Sequence, residues 1–141
     1  MKFNQNQVEK ILPQKFPFRF IDTVEDINVE EKKSISTQVF KKNDFYFQGH
    51  FPKNPVVPGV LIIEATAQAA LILISEINKK SLEIGYLVSV KKVTFHTPLK
   101  PNEKVILKCT IKQRIGKFYI VEGLVTKEQE KVAKLELTLS V

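Results

Sequence analysis

Apolar and polar residues alternate along much of the second half of the chain. Val105, Leu107, Cys109 and Ile111 alternate with polar neighbours, and so do Leu135, Leu137, Leu139 and Val141. A period of two places every second side chain on one face of an extended strand. Strands are therefore expected over 84–95, 104–114, 118–126 and 132–141, with Gly116 turning a hairpin between the second and third. Nearer the start, 18–27 and 34–40 read as shorter strands, the first with imperfect alternation. Residues 4–12 read as a short helix capped by Asn4 and stopped by Pro13.

One stretch follows neither pattern. Residues 60–77 are rich in Leu, Ile, Ala, Glu and Gln, which favour or tolerate a helix. At 1.5 Å per residue that helix is about 27 Å long. It is apolar on almost every side, and a soluble helix of that kind is buried. A membrane span is not expected, because Pro58, Gly59, Glu64, Gln68, Ser75 and Glu76 fall in or beside the run and a carboxylate in lipid is costly. The strands remain to cover the helix. The expected fold is α+β, an antiparallel sheet wrapped round one long apolar helix, with 1–141 as a single domain.

Composition changes this picture little. The chain has 141 residues, of which 43% are hydrophobic and 26% charged, enough for a core and ordinary for a soluble domain. The single cysteine, Cys109, rules out an intrachain disulfide. With no apolar run of signal-peptide length at the start, a cytoplasmic protein is expected. The balance of 22 basic against 15 acidic residues gives +7. Paired lysines (32–33, 41–42, 79–80, 91–92) make either a solvated surface or an attraction for an acidic partner. Nucleic acid fits the sign but lacks any accompanying motif.

The candidate chemistry lies where Pro and Gly are densest. Gly49, Pro52, Pro55, Pro58 and Gly59 frame a loop that carries His50 and runs into the apolar helix. A lone loop histidine is usually surface, but here its neighbours restrict the backbone. Glu64 stands in the second helical turn among Leu61, Ile62, Ile63, Ala65 and Ala67. Burial should raise its pKa and favour the neutral acid. The plain alternative is a core carboxyl satisfied by Gln68 at i+4. Taken together, a histidine that accepts a proton and a carboxylic acid that gives one can run paired acid and base steps. Elimination of water from a 3-hydroxyacyl thioester needs that pair. The free backbone N–H groups of the helix start that follows Pro58, including that of Gly59, either simply begin a helix or hold a thioester oxygen, where the helix dipole favours developing negative charge. His96 reads as structural or surface, and Cys109 as core. Two histidines and one cysteine, all distant, give no metal spacing.

At these residues the sequence resembles a known family. LPQKFPFRFID (12–22) and FQGHFPKNPVVPGVLIIEATAQAA (47–70) resemble the 3-hydroxyacyl-[acyl-carrier-protein] dehydratases of bacterial type II fatty acid synthesis, and YLVSVKKVTFHTPLKPNEKV (86–105) continues the likeness. The resemblance implies a hotdog fold and a dimer whose sheets join, with a trimer of dimers as the larger assembly. It implies His50 and Glu64 as the catalytic pair, supplied by different subunits. It also places the Gly59 amide at the thioester carbonyl, Gln68 beside the site, and Tyr86 at an aromatic position that gates the acyl tunnel in some members. The implied partner is acyl carrier protein bearing a 3-hydroxyacyl phosphopantetheine, steered by lysines such as Lys91 and Lys92. No bound cofactor is implied. Glu rather than Asp at 64 points to dehydration without isomerisation. Gln14, Thr66, Thr94, His96 and Thr97 depart from common family residues. These departures leave the pathway open between housekeeping fatty acid synthesis and a specialised route such as aryl polyene formation. A hotdog thioesterase and a non-catalytic carrier-binding module are the alternative functions. Release of free thiol, or binding without turnover, would distinguish them.

Overall fold

The structure, a computed structural model, describes residues 2–141. It contains helix α1 (Gln5–Ile11), strands β1 (Thr23–Asn28) and β2 (Lys33–Val39), a 3-10 turn at Phe45–Gln48, and helix α2 (Gly59–Asn78). Strands β3 (Tyr86–Phe95), β4 (Lys104–Ile115), β5 (Phe118–Lys127) and β6 (Glu130–Ser140) follow. All six strands join one antiparallel sheet in the order β1-β2-β4-β5-β6-β3. The sheet lies along α2, the hotdog arrangement that the resemblance implies.

The alternating positions become the inner face. Val105, Leu107 and Cys109 of β4, Tyr119, Val121 and Val125 of β5, and Leu135, Leu137 and Leu139 of β6 are all buried. They meet Ala69, Ala70, Ile72 and Leu73 of α2, which are also buried. Each such large side chain contributes about 1.5–3 kcal/mol relative to exposure. Helix α2 is long and apolar enough to cross a membrane, yet 67% of its apolar window is buried within the chain. It is a core helix. Lys79 ends it in the left-handed conformation (φ 51°), and Lys80 N–H returns to Ser75 O. The strand β2 is different, since Ser34, Ser36 and Gln38 alternate on its buried face.

Two glycines of the sheet set its shape. Gly116 holds φ +60° in the β4–β5 turn, as the hairpin requires. Gly123 of β5 lets α2 approach: a Cβ there would lie 2.5 Å from Cγ2 of Thr66. Thr66 has little freedom to yield, because its Oγ1 donates to Ile62 O at 2.9 Å and it is fully buried. Gly123→Ala is thus expected to cost about 1–3 kcal/mol, measured by urea unfolding.

The expected strand over 18–27 is shorter in the structure. Residues 18–22 lie outside any strand, and β1 begins at Thr23. The reason is competition for backbone groups. Phe18 O and Phe20 N–H are taken by the Gln68 side chain, and Val39 N–H is taken by the Asp22 carboxylate. Up to Phe20 the segment serves the helix, and only Asp22 reaches β2, through its N–H to Thr37 O and its carboxylate. The remaining elements match the expected ones to within about two residues at each end.

Candidate active site

His50 follows the 3-10 turn in a tight loop. Val56 N–H donates to His50 O at 3.0 Å, and Nδ1 of His50 lies 2.9 Å from Val56 O. The loop from 50 to 56 is therefore pinched shut by two bonds between the same two residues. The His50–Phe51 peptide is cis, and the two rings stack 4.4 Å apart. A carbonyl only accepts, so Nδ1 is the protonated nitrogen. In the neutral ring, Nε2 is left as a bare acceptor. Val57 N–H then bonds Leu99 O, and Pro58 caps α2.

The first amides of α2, those of Gly59 and Val60, have no acceptor within the chain among the described residues. They are the ordinary unpaired donors of a helix start. The Phe95 ring lies against Gly59: a Cβ there would meet Cζ at 2.9 Å. Beside this contact is a cavity of about 270 Å³, lined by Val57, Gly59, Ile62, Phe95, His96 and Leu99.

Glu64 stands just over one turn further along, half-buried. Gln68 Nε2 donates to its Oε2 at 3.0 Å and to Phe18 O at 2.9 Å. Gln68 Oε1 accepts Phe20 N–H at 2.7 Å, and no part of Gln68 is exposed. Flipping this amide would set its NH₂ against Phe20 N–H and its oxygen against Phe18 O, so the network fixes its orientation. Burial holds the Glu64 carboxyl above its usual value, and the Gln68 bond only partly offsets this. Oε2 accepts from Gln68, which leaves Oε1 as the oxygen free to carry the proton when the carboxyl is neutral. The i+4 partner expected from the sequence is thus present. The rest of this network, the backbone of Phe18 and Phe20, leaves no sign in the sequence, and neither does the Val56 carbonyl at His50, because none of these is a side chain.

A family model described as a FabA-like domain matches residues 12–136. The 3-hydroxyacyl-[acyl-carrier-protein] dehydratase FabZ of Oceanobacillus iheyensis is 36% identical over 135 residues, which cover 96% of each chain. The chain belongs to this dehydratase family. The FabZ of Wolinella succinogenes is 34% identical over 146 residues, covering 97% of this chain and 94% of that protein. The dehydratase heterocomplex ApeI:P from Xenorhabdus doucetiae matches with TM-score 0.80 over 94% of this chain and 89% of that one. At 15% identity, that likeness concerns the fold.

In this FabA-like chain, Gly59, Glu64 and Gln68 share the first half of α2, and His50 sits on the loop that feeds it. No hydrogen bond or ion pair joins His50 to Glu64 within the chain among the described residues. Tyr86 is 61% exposed at the start of β3, whereas Phe95, against Gly59, is at its end. Nine residues of extended strand separate them by about 30 Å. His96 is exposed just past β3, its N–H bonded to Val132 O. Cys109 is buried, with its S–H directed at Thr66 O 3.7 Å away, and burial pushes its thiol up to about 12.

Proposed function

We propose that the chain removes water from 3-hydroxyacyl groups on acyl carrier protein, giving trans-2-enoyl products, with 1–141 working as one cytoplasmic hotdog domain. The observation that carries the chemistry is the opposite preparation of two groups. His50 keeps its Nε2 bare because Nδ1 is committed to Val56 O, and burial pushes the Glu64 carboxyl toward its neutral, proton-donating form with Oε1 left free of Gln68. His50 Nε2 takes the C2 proton. The C2–H electrons form the C2=C3 double bond, the C3–O bond breaks, and the hydroxyl leaves as water with the Glu64 proton. Proton return from His50 to Glu64 resets the site. The Gly59 amide and the helix dipole stabilise the enolate-like oxygen. Gln68, with its amide fully used, acts on the substrate only by positioning Glu64.

The site is completed by a second copy. Strand β3 is a sheet edge on which Tyr86, Leu87, Val88, Val90 and Phe95 are 39–61% exposed. A long apolar edge of this kind is a template for pairing. Antiparallel β3–β3 pairing about a two-fold axis lays the partner's Tyr86 toward the Phe95 end, where it can border the acyl path. It also allows His50 of one copy to face the partner's Glu64.

The direct test is to incubate the purified protein with 3-hydroxybutyryl and longer 3-hydroxyacyl carrier proteins, and to follow product mass and enoyl-thioester absorbance. Loss of one water is expected. Release of free carrier thiol instead would assign a thioesterase, and binding without turnover would assign a carrier-binding module.

A further inference from the structure

The loop after β3, from His96 to Glu103, walls the cavity at Gly59 and is held from outside the site by the turn between β5 and β6. Lys127 and Glu130 pair across that turn, with Glu128 and Gln129 at its tip both left-handed (φ 46° and 67°). The two paired side chains reach the loop together. Thr97 Oγ1 donates to Glu130 Oε1 at 3.2 Å, and Lys127 Nζ donates to Pro98 O at 2.9 Å. Lys127 Nζ also meets both carboxylate oxygens of Glu103 at 3.1 Å. Three acceptors thus match the three donors of an ammonium. Glu103 Oε1 in turn accepts Lys100 N–H at 2.7 Å, which closes the loop on itself.

The Lys127 side chain is only 13% exposed. Ordering a lysine costs side-chain entropy, and an isolated ion pair near the surface adds little stability. What this pair fixes is geometry. Burial of the Leu99 side chain anchors that residue, and the bond to Pro98 O sets the rotation of the peptide before it. The next carbonyl along, Leu99 O, accepts Val57 N–H at 2.8 Å. Among the described residues that is the last backbone bond before Pro58 and the free amides of Gly59 and Val60. Resting on the dehydratase reading above, we propose that Lys127 is a positioning residue for the reaction: clamped by Glu103, it sets where the Gly59 amide stands against the thioester oxygen. It touches no reacting atom. A misplacement of about 1 Å can cost about 10²-fold in rate, and the charge that the amide meets develops in the transition state. Loosening the clamp therefore lowers kcat and leaves KM alone.

The test is steady-state kinetics of the whole protein on 3-hydroxybutyryl carrier protein and on the matching N-acetylcysteamine thioester. Lys127→Met should lower kcat about tenfold on both, with KM unchanged. Glu103→Gln should lower kcat too, and the double variant should be no slower than Lys127→Met, because both act through one clamp. Deuterium exchange read by mass spectrometry should quicken over residues 57–60 in each variant. Tyr119→Phe is the stability control. It removes the bonds to Asn78 at the far end of α2, and should leave kcat unchanged at a comparable loss in urea unfolding. Unaltered kcat in both clamp variants overturns the proposal. So does an equal fall in kcat with Tyr119→Phe, which reduces the clamp to a structural role. A defect confined to the carrier-borne substrate also overturns it, and makes Lys127 a carrier contact. A wild type inert on both thioesters defeats the dehydratase reading and this proposal together, whereas an active wild type beside unaltered clamp variants defeats the proposal alone.

Discussion

Glu64→Gln is expected to lower kcat by about 10²–10⁴-fold with the protein still folded, the usual contribution of a positioned proton donor. The substitution keeps the shape of the side chain. Its carbonyl oxygen still accepts from Gln68 Nε2, so the bridge to Phe18 and Phe20 survives. What is lost is the ability to give up a proton, since an NH₂ replaces Oε1. The pH dependence has a definite sign. Burial raises the Glu64 pKa in the fold above its ordinary 4.5, so the neutral acid persists above that value and is lost as pH rises through the folded one. Wild-type kcat/KM should fall across that window. The stability of the wild type relative to Glu64→Gln should fall there too, because the wild type binds the proton more tightly folded than unfolded. Assays of initial rate against pH, with urea melts at the same pH values, check both. A Glu64→Gln enzyme retaining more than about a tenth of wild-type kcat would remove Glu64 as the acid.

His50→Ala and Glu64→Gln proteins, each inactive alone, should regain about a quarter of wild-type activity when unfolded together and co-refolded in equal amounts. The figure follows from a two-fold dimer whose sites each take His50 from one copy and Glu64 from the other. Half of the randomly formed dimers are mixed, and one site in each mixed dimer has both groups intact. The expectation rests on the lack of any His50–Glu64 bond within one chain and on the exposed apolar edge of β3. If both groups came from the same copy, every site in the mixture would lack one of them and no activity would return. Comparing rates before and after co-refolding, with native mass spectrometry to count mixed dimers, decides between the two arrangements.

The local chemistry of the sequence determined the elements. Alternation in β4 and β6 and the all-round apolar run of α2 fixed their type and nearly their ends, because period and burial are properties of residues close in sequence. The Glu64–Gln68 pair was legible for the same reason, since helical geometry alone brings i and i+4 together. Where a distant group competed, local reading went astray. Residues 18–22 have strand-like composition, yet Phe18 O and Phe20 N–H are bound by Gln68, 50 and 48 residues away. Tertiary structure alone decided that Val56 O fixes the His50 tautomer, that Gln68 is sealed from solvent, and that Gln38 is buried without a donor. It also set Tyr86 and Gly59 at opposite ends of one strand's length. These facts depend on backbone carbonyls and on solvent exclusion, which no residue type announces and which exist only after the sheet has closed on its helix.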